Sequence, residues 1–348
     1  MLLPAADLDH VLAHTAPLWE VLRGERVFMT GGTGFFGRWL VGTFAHANRA
    51  LDLGASITVL TRDPARVRAE VPALAAERSV VFVRGDVRAL EPDSERYACV
   101  IHAATESSRI PDPHDHLGMF DTVVLGTRRV FDFAVAAGAR RALLVSTGDM
   151  YGRQPPDVQL LDEDYRCAPD VTDPSSAYAE GKRSAEVLAS IYAARGLNVS
   201  TARCFAFVGP HLPLDRHFAV GNFVRDALAG GPIRLTGDGK PVRGYLYAAD
   251  LAIWLWTIAL RGTPGRAYNV GSERTVSIAE LAAIVADSAG AGCRVERPSV
   301  VQPSRVHRYV PSTRRARTEL GLDAWVSLED ALDRTIAWHR DVSSLARA

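Results

Sequence analysis

The chain has 348 residues, 47% hydrophobic and 23% charged, the balance of a soluble globular protein long enough for one large domain or two smaller ones. Forty acidic residues offset forty basic ones, so no global field draws it to nucleic acid or to an anionic membrane, and neither partner is expected. Cys99, Cys167, Cys204 and Cys293 lie far apart, with no C-x-x-C pair and no histidine at ligand spacing, a pattern of reduced thiols in a cytoplasmic protein rather than of a metal site or disulfide framework.

Residues 1–24 read as an N-terminal helical extension. Within it, "DLDHVLAHTAPLWEVLR" (7–23) is weakly amphipathic, with Leu8, Val11, Leu12, Leu18, Val21 and Leu22 available to one face. It has no basic region followed by a continuous apolar run, so no signal peptide is expected. Then "RVFMT" (26–30) has the composition of a buried strand, followed by a glycine cluster and a helix through "WLVGTFAHAN". The alternation repeats: "SITVLT" (56–61), a helical stretch from 64, "SVVFVR" (79–84), "ACVIHAA" (98–104), a helix over 117–137, "ALLVS" (142–146), a helix over 176–194 and "NVSTARC" (198–204). Short apolar strands between longer amphipathic segments predict an α/β fold, a doubly wound parallel Rossmann sheet with helices on both faces. The run "LAIWLWTIAL" (251–260) is about half the ~20 residues of a membrane span and predicts a buried helix.

Beyond residue 205 the alternation breaks down into Gly- and Pro-rich connections such as "LAGGPIRLTGDGKPVRG". The expected organisation is a dinucleotide-binding domain over 25–205 with a returning segment at about 245–272. A smaller substrate-binding lobe, from 206–244 and 273–348, would close over the carboxyl edge of the sheet.

"TGGTGFFG" (30–37) sits between the first strand and the first core helix. Gly31, Gly34 and Gly37 permit a tight turn, let backbone N–H groups approach a pyrophosphate and let helix pack on strand. A carboxylate ending the second strand would select NAD, but Thr61 and Arg62 stand there, with Asp63 just beyond. An arginine can pair with a 2′-phosphate, so NADP is favoured slightly over NAD; the alternative is a solvated arginine beginning a helix that Asp63 caps. Asp86, after the third strand, suits the adenine edge or a cap.

Tyr178 and Lys182 form a Tyr-x-x-x-Lys pair in "AYAEGKRSAE" (177–186). With nine tyrosines and two lysines in the chain, chance would supply about 0.05 such pairs. Together with "VSTGDMYG" (145–152) and the glycine turn, they make residues 25 to about 340 resemble the extended short-chain dehydrogenase/reductase family, on its nucleotide-sugar epimerase and dehydratase side. "VIHAA" (100–104), "GPHLPLDRHFAVGNFV" (209–224), "GDGKPVRGYLYAADLA" (237–252) and "YNVGSE" (268–273) carry the same resemblance.

The resemblance implies an enzyme that oxidises a nucleotide-diphosphate sugar transiently at C4. Tyr178 would remove the hydroxyl proton, Lys182 would favour its phenolate and hold the nicotinamide ribose, and Thr147 would share the sugar hydroxyl. Asp149 stands where family 4,6-dehydratases carry the acid that takes the C5 proton, or else caps the following turn. Gly148 stands where the dTDP-glucose type has a second acid. The leaning is to 4,6-dehydration, followed by C4 epimerisation, then decarboxylation of a uronate; a net 4-ketoreductase or a non-enzymatic NAD(P) sensor are further alternatives. Phe35, Phe36, Val87, Ala103 and Ala104 would line the cofactor, and Asn222, Arg243 and Arg308 would hold the nucleotide diphosphate. Val123 and Ala206 replace family asparagines, marking a remodelled pocket. His211 and His217 are expected in loop roles beside the sugar, and Lys240 is expected to be exposed. Helices 117–137 and 176–194 would pair with a second copy in a homodimer.

Overall fold

The structure, a computed structural model, describes residues 3–92, 94–105, 115–215, 218–290, 292–298 and 307–345; His217 lies outside the described residues. Helix α1 (Ala5–Thr15) runs into a 3-10 turn (Ala16–Leu22). The alternating core follows: β1 (Arg26–Thr30), α2 (Phe35–Ala50), β2 (Ser56–Thr61), α3 (Pro64–Glu70), α4 (Pro72–Ala75), β3 (Val80–Arg84), β4 (Cys99–His102), α5 (His116–Ala136), β5 (Arg141–Thr147), α6 (Ala177–Ala194) and β6 (Val199–Cys204). The remainder comprises β7 (Ala206–Val208), α7 (Ala219–Leu228), β8 (Ile233–Arg234), β9 (Val242–Tyr247), α8 (Ala248–Arg261), β10 (Ala267–Val270), β11 (Thr275–Ser277), α9 (Ile278–Ala289), β12 (Val295–Glu296), β13 (Arg308–Tyr309), α10 (Arg314–Leu320) and α11 (Leu328–Leu345).

Seven strands form one parallel sheet in the order β10-β6-β5-β4-β1-β2-β3, as the uninterrupted apolar runs require of a sheet buried on both faces. Alternate residues of β1 divide between two cores. Val27 and Met29 point to one containing Trp39, Phe44 and Trp256 of α2 and α8, while Phe28 points to the other, with Phe131, Phe133 and Ala185 of α5 and α6. Helix α8 is buried on every side from Ala248 to Leu260, as its unbroken apolar run predicts. Strand β10 returns to the large sheet beside β6. A four-stranded sheet holds β11, β9 and β13 in that order, with β7 also paired to β9; a separate pair joins β8 and β12.

Two local details depart from the sequence reading. The helical stretch from residue 64 divides into α3 and α4 around Val71, because Pro72 disfavours helical backbone at the preceding residue and starts the next helix at its first position. Of the expected apolar face of the N-terminal segment, Val11, Leu18 and Leu22 are buried, joined by Trp19, whereas Val21 is 39% exposed. The change to a 3-10 turn at Ala16 alters the helical period and brings Trp19 inward, against Trp256 at 4.8 Å between ring centroids. Buried Asp7 of α1 accepts from the Tyr247 hydroxyl at 2.5 Å and from Arg334 at 2.7 Å, tying this segment to β9 and α11.

At the floor of the crevice between β1 and β4, buried His102 bridges two threonines. Its Nδ1 lies 2.8 Å from Thr30 Oγ1 and its Nε2 lies 3.1 Å from Thr127 Oγ1. Thr127 gives its own proton to the Val123 carbonyl, so Nε2 of His102 must donate and Nδ1 must accept, which assigns the neutral tautomer. Burial, assisted by the Lys182 charge, lowers its pKa to about 3. The unfolded chain therefore takes up a proton at this histidine below its ordinary value of about 6.5 while the folded protein does not. The stability it supports is present above about 6.5 and is lost as the pH falls toward 3, by up to about 1.4 kcal/mol per pH unit. Urea unfolding across this window should give a shallower pH slope for His102→Gln than for the wild type; equal slopes would contradict the assignment.

Candidate active site

A cleft of about 1610 Å³ runs along the carboxyl ends of the central strands, with β9, β13 and α7 on its far side. Its inner end lies where the strand order reverses between β1 and β4, the position at which open α/β sheets bind ligands. The volume exceeds the roughly 300–1,000 Å³ of a single small-molecule site, leaving room for a second ligand beside a dinucleotide.

Gly31 and Gly37 have steric reasons. Gly31 has φ +75°, and a Cβ there would lie 2.5 Å from the Ala103 carbonyl. A Cβ on Gly37 would lie 2.3 Å from the Gly31 oxygen, so the helix could not start so close to the strand. Gly34 is the N-cap of α2, where no side chain caps the first turn. The N–H groups opening α2 thus face the cleft, flanked by Phe35 and Phe36. This cradle fits a pyrophosphate.

Arg62, Asp86, Val87, Ala103 and Ala104 all line the same cleft. Arg62 is exposed at the end of β2, and Asp63 accepts from Arg66 N at 3.0 Å to cap α3. Asp86 both caps a 3-10 turn and accepts from the Arg88 guanidinium, contacts that hold its carboxyl below the usual range, with a smaller contribution from Arg62. The cap and cleft readings of Asp86 are therefore compatible.

Thr147, Asp149, Tyr178 and Lys182 line the middle of the cleft. Thr147 ends β5, and its hydroxyl accepts from Asp149 N at 3.2 Å, making it the cap of the following 3-10 turn. The Asp149 carboxylate is left exposed toward the cleft rather than spent on the turn. Tyr178 and Lys182 are one turn apart on α6, with Lys182 Nζ 5.9 Å from the Tyr178 ring centroid. Lys182 is 3% exposed and donates to the Val145 carbonyl at 2.8 Å. Burial lowers its pKa to about 8, so the ammonium persists at neutral pH.

On the lobe side, Asn222 and Arg243 line the cleft. Arg243 is half-buried and donates to the carbonyls of Val242 and His307 at 2.9 and 3.0 Å, which fixes its guanidinium. Arg308, expected at the diphosphate, is not brought to the cleft, whereas its neighbours His307 and Tyr309 line it. In the β13–β9 pairing Tyr309 is opposite Arg243 and Arg308 is opposite Val242, and side chains on a strand alternate faces. Tyr309 was missed from sequence although it adjoins the arginine chosen there. Its hydroxyl lies 3.5 Å from Thr147 Oγ1, its ring centroid 4.7 Å from that of Phe205, and the Arg243 guanidinium 5.5 Å from its ring.

The remaining sequence candidates have plain structural roles. His211 accepts from Arg38 at 3.2 Å and packs on Trp338, and burial lowers its pKa to about 3, so it is neutral. Lys240 is exposed, 3.7 Å from Asp238. Val123 is buried against Gly181, between α5 and α6, and Ala206 lines the cleft. Among the described residues, no helix is long and apolar enough to cross a membrane and no group of His, Cys, Asp or Glu could hold a metal ion.

Comparison with known proteins agrees with this geometry. The sequence model of the NAD dependent epimerase/dehydratase family matches residues 27–271. A dTDP-glucose 4,6-dehydratase of Streptomyces antibioticus is 30% identical over 90% of this chain and 92% of its own. UDP-glucuronic acid decarboxylase 1 of Xenopus tropicalis is 27% identical over 91% of this chain and 72% of its own. A solved dTDP-glucose 4,6-dehydratase of Streptomyces venezuelae, with NAD bound, superposes with a TM-score of 0.76 at 28% identity, covering 92% of this chain and 98% of that one. With a nucleotide cradle at the switch point, a Tyr-x-x-x-Lys pair beside it and a family match across most of its length, the chain belongs to the NAD-dependent epimerase/dehydratase family.

Proposed function

We propose that the protein dehydrates a nucleotide-diphosphate hexose to its 4-keto-6-deoxy form through transient oxidation at C4. The observation that carries this reading is the exposed Asp149 carboxylate on the cleft wall, two residues beyond Thr147, in the same cleft as Tyr178 and Lys182 and in contact with the Tyr309 hydroxyl. Bound NAD(P) supplies the acceptor for the C4 hydride and gives the same hydride back. Tyr178 takes the C4 hydroxyl proton, with the Lys182 ammonium favouring its phenolate and Thr147 hydrogen-bonding the same hydroxyl. Once C4 is a ketone the C5 proton is acidic, and Asp149 removes it. Asn222 and Arg243 hold the diphosphate, with Arg243 supplying the charge. The similarity to the dTDP-glucose 4,6-dehydratase of Streptomyces antibioticus supports this reading.

Decarboxylation of a UDP-uronate is the second reading, supported by the decarboxylase relatives and by the small residue Gly148. Incubating the protein with a panel of nucleotide sugars in deuterated water separates the outcomes. Dehydration predicts a product lighter by one water and carrying solvent deuterium at C5, and Asp149→Asn should slow its formation about 100-fold or more. A pentose from the uronate, or an unlabelled isomer from the hexose, would replace this reading with decarboxylation or C4 epimerisation.

We infer NADP as the preferred cofactor, supported by Arg62 at the cleft rim and by the lack of a carboxylate ending β2. A charge-assisted contact to the 2′-phosphate predicts that Arg62→Ala weakens NADP binding about 10- to 100-fold and leaves NAD binding unchanged, as measured by titration calorimetry. Equal losses for both cofactors would contradict the preference.

A homodimer through α5 and α6 fits the apolar side chains these helices leave exposed: Leu117, Leu125 and Val135 on α5, Val187 and Ile191 on α6. Sedimentation should give a dimer for the wild type and a folded monomer for Leu125→Glu/Val187→Glu; a wild-type monomer would contradict this arrangement.

A further inference from the structure

Gly148 stands between Thr147 and Asp149, where the dehydration reading calls for a group that can protonate the departing C6 hydroxyl. A Cβ at this position would lie 2.8 Å from the hydroxyl of Tyr309 and 2.7 Å from the Phe205 ring. The space that a side chain of residue 148 would enter is thus already occupied by the Phe205 ring and by the phenol hydroxyl delivered from β13. A side chain at residue 148 would have to displace one or both of them.

We propose that Tyr309 is the catalytic acid that protonates the leaving C6 hydroxyl, replacing an acidic side chain at residue 148; this rests on the dehydration reading. Its ring is locked between Phe205 and the Arg243 guanidinium, and its hydroxyl faces the cleft beside Thr147. Burial and the neighbouring Asp149 carboxylate hold its pKa well above the ordinary value, so before reaction it is a proton donor and not a second base. The two groups are coupled in the useful direction. When Asp149 takes the C5 proton its negative charge disappears, and with it one of the influences that made Tyr309 reluctant to ionise.

The step balances on the residues present. The C5–H electron pair becomes the C5=C6 bond, the C6–O bond breaks, and the oxygen leaves as water with the Tyr309 proton. The hydride removed at C4 then adds at C6, and the Asp149 carboxyl, its proton exchanged with solvent, protonates C5. One proton remains displaced: Tyr178 holds the one taken from the C4 hydroxyl, and Tyr309 lacks one. Thr147 Oγ1, 3.5 Å from Tyr309 Oη and assigned to the same sugar hydroxyl as Tyr178, is the bridging group through which that proton resets both phenols.

The test uses full-length Tyr309→Phe with its cofactor, the wild-type nucleotide hexose and the corresponding 6-deoxy-6-fluoro sugar in deuterated water. The variant should lose at least about 100-fold in water elimination, while recovered substrate still gains deuterium at C5 and the reduced cofactor still absorbs in a single turnover. Fluoride leaves without needing a full proton transfer, so the fluoro sugar should be processed within a few-fold of the wild-type rate. Equal loss with both leaving groups, or loss of C5 exchange, would make Tyr309 a structural or positioning residue and overturn the inference. Undiminished dehydration would also overturn it. A wild-type protein that exchanges C5 yet eliminates water from no hexose would instead overturn the dehydration reading itself.

Discussion

A buried ammonium is the constraint on which the proposed chemistry of this cleft depends. Lys182 is 3% exposed and is held by one backbone carbonyl of β5, an environment that lowers its pKa to about 8 without neutralising it at ordinary pH. A negative charge spread over the Tyr178 ring, whose centroid is 5.9 Å away, would gain roughly 3 kcal/mol from this charge at an effective dielectric of about 20, about two pKa units. The same charge helps keep His102 neutral on the crevice floor. Burial therefore does two things at once: it strengthens the influence of the ammonium on its neighbours and removes His102 as a competing cation.

The rest of the fold brings partners to that charge. The parallel sheet aligns the ends of β1, β2, β4 and β5 along one edge, with the glycine turn at the switch point and Thr147 and Asp149 near Tyr178. Strands β9 and β13 supply Arg243 and Tyr309 from across the cleft. The N-terminal segment acts indirectly: Asp7 holds the Tyr247 hydroxyl at the end of β9 and pairs with Arg334, so the strand bearing Arg243 is anchored at its far end by residues outside the repeating core.

The core was legible in the sequence because its signals are local. Strands buried on both faces must be continuous apolar runs, and Gly31, Gly32 and Gly37 each answer a clash within the turn or with a neighbouring strand or its end. Lys182 stood out because arginine replaces lysine almost everywhere else. What escaped depends on long-range register or a change of period. Trp19 turns inward through a 3-10 segment, and Pro72 divides a helix that the pattern would have continued. Arg308 and Tyr309 differ by one position on a strand, which on a two-residue period reverses the face. Gly148 gave no sign of Tyr309 in the sequence, because the phenol whose hydroxyl borders it lies more than 150 residues away.

The pH dependence of kcat/KM in wild type and Lys182→Met tests the role of the buried ammonium most directly. If this charge is what enables the Tyr178 phenolate, the wild type should show a bell whose alkaline limb lies near 8, and the variant should lose that limb and rise in residual activity toward high pH as the unaided phenol ionises. A variant that keeps the wild-type bell, with both limbs in place, would contradict it.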